Sequence, residues 1–114
     1  MRWTKNHRLR KRWQFKEVQQ RGSKKRASCF LLLYLPSSGC QSRIGITVSK
    51  KVGNAVVRNK VKRHMREATR QEYHLLPTGV DVVLIAYPKA KEASVNLFRR
   101  ELRRIFLILA KKLQ

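Results

Sequence analysis

The chain has 114 residues, with 28 Lys and Arg against 6 Asp and Glu, so its formal charge is +22 and its pI is about 11.5. With 42% hydrophobic residues it is not a disordered basic tail, and its length suits one domain, residues 1–114, that buries roughly two thirds of its unfolded surface. The longest apolar runs, residues 29–35 and 105–110, fall far short of the roughly 20 residues that span a bilayer, and the charged start lacks the apolar core of a secretory signal, so a cytoplasmic protein is expected.

Residues 1–8 read as a flexible basic arm. Residues 9–20 contain good helix formers without Gly or Pro, and Arg21-Gly22 supplies a stop. Trp13 and Phe15, two positions apart, point about 200° from one another on such a helix, so one of them leaves the core contact. Residues 28–35 are β-like, and Pro36-Ser37-Ser38-Gly39 marks a turn. In the next strand, residues 42–50, Ile44, Ile46 and Val48 alternate with Arg43, Gly45, Thr47 and Ser49, giving one core face and one polar face. Gly45 leaves bare backbone there, which suits either close approach of a ligand or a bulge.

A helical pattern then runs from the Gly53-Asn54 loop to about residue 73. Val57, Val61, Met65 and Ala68 form its apolar stripe, while Arg58, Lys62, Arg66 and Arg70 recur every four residues beside Asn59 and Arg63. Such a ladder places cations about 6 Å apart along the axis, and like charges at that spacing destabilise a free helix. Residues 80–87 are a nearly continuous apolar strand, as expected for a position covered on both faces. Ser94 caps a last helix to residue 112, with Phe98, Leu102, Ile105 and Leu109 inward and Arg99, Arg100 and Arg103 outward. This order of elements gives an α+β or α/β sandwich.

Charge is concentrated in two blocks. Residues 1–26 hold eleven basic groups beside Glu17, residues 50–70 hold eight beside Glu67, and residues 27–49 carry only Arg43. Self-repulsion at +22 opposes folding, so a polyanionic partner is expected, with nucleic acid ahead of an anionic membrane surface. No apolar face is left over from the core to lie in a membrane. The six acids show no metal-ligand or acid-base arrangement, His7, His64 and His74 are not spaced as a zinc set with Cys29 or Cys40, and the Gly53 loop is not a phosphate-binding Walker motif. The residues describe a binding protein without catalytic groups, metal ligands or a small-molecule substrate.

The segment KKVGNAVVRNKVKRHMRE at residues 50–67 resembles the signature region of the protein component of bacterial ribonuclease P. The likeness continues through RIGITVS at residues 43–49, Phe15, Val18, Phe30 and Asp81 with its following strand, and so covers essentially the whole chain. It implies an α-β-β-β-α-β-α two-layer sandwich around a four-stranded sheet, known also from a ribosomal protein, with a short extra strand near residues 23–26. It further implies a left-handed βαβ crossover, an exception to the usual hand.

The same resemblance implies a subunit, one per RNA, that binds the catalytic RNA and the single-stranded 5′ leader of precursor tRNA. The RNA would perform the magnesium-dependent endonucleolytic cleavage. Lys50, Lys51, Gly53, Asn54, Arg58, Asn59, Lys62, Arg63, Arg66 and Arg70 would meet the RNA subunit. Phe15, Leu31, Leu33, Arg43, Thr47 and Ser49 would line the leader cleft. Gln19 stands where a second aromatic is often found, and Leu33 occupies a position that can be aromatic, which leaves either weaker leader stacking or compensation by Trp13. A small basic ribosomal protein is the nearest rival reading and a DNA-compacting protein the next; the segment at residues 50–67 argues against the first, and the cleft floor of Gly45 and Thr47 against the second.

Overall fold

In the computed structural model, which describes residues 4–39 and 41–113, helix α1 (Arg12–Arg21) is followed by strands β1 (Ser23–Arg26), β2 (Phe30–Pro36) and β3 (Arg43–Thr47). Helix α2 (Ala55–Glu72), strand β4 (Val80–Ala86) and helix α3 (Val95–Lys112) complete the chain. The sheet order is β1-β2-β4-β3, with β1/β2 and β2/β4 antiparallel and β3/β4 parallel. Helix α2 is therefore the crossover between two adjacent parallel strands. Its hand follows from Ile44, whose carbonyl accepts the Leu9 N–H on the side away from β4 while its side chain enters the face packed under α2 and α3. For an L-residue in an extended strand, that combination puts β4 to the left of an upward β3 as seen from α2, the left-handed sense.

The main core lies between the sheet and the α2/α3 layer. Phe30, Leu32, Ile44, Val82 and Leu84 from the strands meet Val61, Met65 and Ala68 from α2 and Phe98, Leu102, Ile105, Phe106 and Leu109 from α3. The helix starts follow from local chemistry: Asn54 Oδ1 accepts the Val57 N–H at 3.0 Å and Ser94 Oγ the Leu97 N–H at 3.1 Å, each satisfying a donor that the helix cannot pair. Helix α1 lies on the opposite sheet face, where Val18, Leu33, Val83 and Leu9 form a second small core. Its first turn has no Ser, Thr, Asp or Asn before it; instead Gln14 Oε1 accepts the N–H groups of Arg10 and Lys11.

Of the flexible arm expected over residues 1–8, the structure describes residues 4–8; residues 1–3, like Cys40, lie outside the described residues. Lys5–His7 form a 3-10 turn, the His7 ring meets Tyr73 edge-on with centroids 5.0 Å apart, and Arg8 bridges to Ile44 along the outer edge of β3. Leu9, placed by its run of helix formers in the first helix, instead precedes α1 and is 5% exposed because it fills the small core. No described helix is long and apolar enough to cross a membrane.

Arg99 and Arg103, expected to face outward, join α3 to the end of α2. Their Nε atoms donate to the two oxygens of Glu72, at 2.8 and 3.0 Å, and Glu72 is 1% exposed. Burial pushes the Glu72 carboxyl upward, but the two guanidinium hydrogen bonds and charges outweigh it and hold the group below the usual carboxylate range. A carboxyl with a lowered folded-state pKa contributes stability above its unfolded value, near 4.3, and loses it as pH falls through the folded value. Glu72→Gln is therefore expected to lower unfolding free energy in urea by about 2 kcal/mol at neutral pH, a figure reduced for the partial exposure of both arginines. The difference from the parent chain should shrink as the pH is lowered past 4. An equal difference at all pH values would show that the carboxylate charge is not what matters.

Candidate nucleic-acid interface

The start of α2 and its outward face collect most of the residues at 50–70 that the sequence singles out. Gly53 sits so close to α2 that an added Cβ would lie 2.8 Å from Val57 Cγ1, and the Asn54 side chain is engaged as the helix cap. Both residues thus have a structural reason to be present, while Lys50 and Lys51 stand exposed just before them. Along the helix, burial of Val61, Met65, Ala68, Thr69 and Glu72 turns Arg58, Asn59, Lys62, Arg63 and Arg66 toward solvent. Lys60, which periodicity did not single out, is exposed beside them.

Arg70 differs from the rest of the ladder. Its Nε and Nη2 grip both oxygens of Glu67, with Gln71 Nε2 as a further donor at 2.8 Å. These hydrogen bonds, that of Arg70 first, lower the Glu67 pKa to about 2, so the pair is charged yet neutral in sum at any working pH. Among the described residues, the cations of α2 without a carboxylate partner therefore run from Arg58 to Arg66.

The other site lies on the sheet face that carries α1. Strand register sorts that face into three rows: Leu31, Ile85 and Thr47; then Leu33, Val83 and Gly45; then Leu35, Asp81 and Arg43. Helix α1 crosses the middle row. Val18, 1% exposed, covers Leu33 and Val83, and the Phe15 ring rests on Gly45, where an added Cβ would lie 2.3 Å from Phe15 Cε1. Gly45 is thus a close-approach glycine for a side chain of this protein. Leu31, Ile85 and Thr47 remain half-buried in the open row beside the helix.

Three residues expected in the cleft stand apart from this open row. Leu33 is 3% exposed beneath α1 and offers no surface to a ligand. Arg43 is engaged by Asp81, Nε to Oδ1 at 3.1 Å and Nη2 to Oδ2 at 2.8 Å, a bidentate grip that leaves fewer free donors. Ser49 lies beyond the end of β3, exposed in the loop toward α2. Trp13 is the aromatic that leaves the core: it is 59% exposed and lies in a separate hollow beside Arg43 and Asp81.

The hollow next to Phe15 is lined by Arg8, Leu9, Arg10, Gly45, Ile46 and also by Arg66 of α2. Arg66 therefore belongs both to the basic helix face and to the Phe15 hollow, so the two surfaces are contiguous. Sequence reasoning missed Arg8 and Arg10, since only the docking of the N-terminal segment on β3 brings them here. Among the described residues no three His, Cys, Asp or Glu gather as metal ligands. Cations beside a half-buried aromatic suit phosphates and unstacked bases.

A model of the family described as Ribonuclease P matches residues 3–110. The ribonuclease P protein component of Desulfatibacillum aliphaticivorans is 39% identical over 104 residues, 91% of this chain and 88% of that protein. That of Brevibacillus brevis is 42% identical over 99 residues, 86% and 79% of the two chains. Among solved structures, the RNase P protein of Thermotoga maritima superposes with a TM-score of 0.79 at 31% identity, covering 89% of this chain and 96% of that one. The RNase P protein of Staphylococcus aureus gives 0.77 at 30% identity, covering 92% and 95%.

The contact of Phe15 with Gly45 generates a stability test. Gly45→Ala must displace the ring and is expected to cost about 1–3 kcal/mol. On a Phe15→Ala background the same substitution should cost much less, because the atoms it would strike are gone. Additive losses in denaturant titrations of the four proteins would show that the two residues do not press on one another.

Proposed function

The chain belongs to the ribonuclease P protein family, as a protein component of the holoenzyme that cleaves tRNA precursors, and we propose on this basis a division of labour between its two surfaces. The outward face of α2, from Arg58 to Arg66, with Lys50, Lys51 and Lys60, binds phosphates of the catalytic RNA. The hollow of Phe15, with Leu31 and Thr47 in the open row, holds the single-stranded 5′ leader of precursor tRNA. One protein serves one RNA, in the cytoplasm. The observation that carries this reading is the contiguity of the surfaces at Arg66, which lets one protein touch a folded RNA and an adjoining single strand together.

In this reading the chain supplies binding and charge screening, and cleavage is left to the RNA. Magnesium is assigned to the RNA as well, because the carboxylates that could attract it here are largely committed: Glu17, Glu67, Glu72, Asp81 and Glu101 each hold an arginine. Cations placed on the RNA reduce the repulsion between phosphates of enzyme and substrate, so less divalent metal is needed to bring them together. Neutral stacking and hydrogen bonding in the Phe15 hollow add affinity for the leader, which mature tRNA lacks.

Reconstitution with a bacterial ribonuclease P RNA and precursor tRNA at low magnesium tests the reading. Leader release should require both RNA and protein; release by protein alone, or no stimulation by protein, would overturn it. Arg63→Ala is expected to weaken RNA assembly by about 1–3 kcal/mol and to make the salt slope shallower by roughly one. Phe15→Ala should reduce the preference for precursor over mature tRNA while assembly with the RNA is retained. A proportional loss of both by Phe15→Ala would contradict separate surfaces.

A further inference from the structure

Trp13 lies outside the two surfaces to which the proposed function gives work. It projects from the flank of α1 opposite Phe15, and 59% of its surface is exposed, whereas Trp is a residue type that is usually well covered. Beside it is a hollow of about 300 Å³ whose floor is the third row of the sheet face, Leu35, Asp81 and Arg43. That volume is at the lower end of ligand sites. The bidentate pair of Arg43 and Asp81 makes the floor rigid and polar, and the indole forms one wall.

This hollow is joined to the one at Phe15. Between them, around the N-terminal end of α1, lies a third depression lined by Asn6, Arg8, Arg10, Lys11, Gln14 and Arg43. It shares Arg8 and Arg10 with the Phe15 hollow and Gln14 and Arg43 with the Trp13 hollow. The path is therefore continuous: aromatic, cations, aromatic. Arg8 Nε is buried and has no hydrogen-bond partner among the described residues. Alternation of aromatic faces with cations is the chemistry of a single-stranded nucleic acid track, in which bases stack and phosphates meet arginines.

We propose that Trp13 is a second stacking platform, which receives a base of the leader strand after that strand has passed from the Phe15 hollow round the N-terminal end of α1. The inference rests on the proposed function and extends it, since it makes the grip on substrate depend on how far the leader reaches. Stacking on an indole tolerates any base, so length rather than sequence is what this platform reads.

The test uses the reconstituted holoenzyme with two precursors, one whose leader ends at the Phe15 hollow and one whose leader extends past it. Trp13→Ala is expected to weaken binding of the long-leader precursor by roughly tenfold and of the short-leader precursor far less, and Trp13→Phe to restore most of the loss. Trp13 is one of two tryptophans, so Trp3→Phe leaves it as the sole indole; its fluorescence should then be quenched by a long single-stranded RNA and not by a short one. Equal losses on both precursors, no loss on either, or an indole blind to the long strand would each overturn the proposal. If the wild-type protein fails to promote leader release at all, the proposed function falls by that result, and quenching by the isolated strand still decides whether Trp13 stacks.

Discussion

The press of the Phe15 ring on the bare backbone of Gly45 fixes where α1 lies, and the rest of that sheet face depends on it. A strand residue with a Cβ at position 45 would hold the ring, and with it the helix, farther from the sheet. With the ring seated, Val18 closes over Leu33 and Val83, and the face is divided into a covered middle row and two uncovered flanks. One flank keeps Leu31, Ile85 and Thr47 in reach of solvent. The other holds Arg43, Asp81 and Trp13. Apolar contact thus does what no charge on this surface does, which is to decide the geometry in which the charges are shown.

Charge is then edited by a small number of acids. Every ion pair among the described residues uses arginine and none uses lysine, in keeping with the fork geometry of the guanidinium. The pairs fall at Arg21, Arg43, Arg70, Arg99, Arg103 and Arg104, which leaves the stretch from Arg58 to Arg66 without a carboxylate partner. The acids therefore sharpen the contrast between a neutralised surround and one strongly positive helix face. A buried one, Glu72, also binds the end of α2 to α3, so the element that carries the free cations is anchored by the arginines that do not.

Much of this was legible in the sequence wherever one periodicity ruled. The stripes of α2 and α3 and the apolar run of β4 emerge directly, because each of these elements packs one continuous face or two. The divergence of Trp13 and Phe15 was also readable from their spacing, although which of them turns inward was not, since it depends on Gly45 thirty residues away. Strand β1, with the sequence SKKR, has no apolar alternation and was reachable only through family resemblance. The docking of Arg8 and Leu9 on β3 stayed hidden for a related reason: a free strand edge is a property of the assembled sheet. Leu31 and Leu33 share a face and differ only in whether α1 lies above them, and the pairing of Glu72 with Arg99 and Arg103 joins residues far apart in the chain.

The two rims of the sheet are closed in different ways. Along β3 the N-terminal segment supplies a bridge at Arg8, which occupies backbone groups that would otherwise face out. Among the described residues strand β1 pairs only with β2, so its far side remains open, and the strand carries Lys24, Lys25 and Arg26. Open strand edges are templates on which a second chain can add, and the hydrophobic content of β2 and β4 makes such growth a hazard for folding intermediates. A lysine-rich rim repels its own copies. The charge of this rim thereby also opposes edge-to-edge addition of further copies.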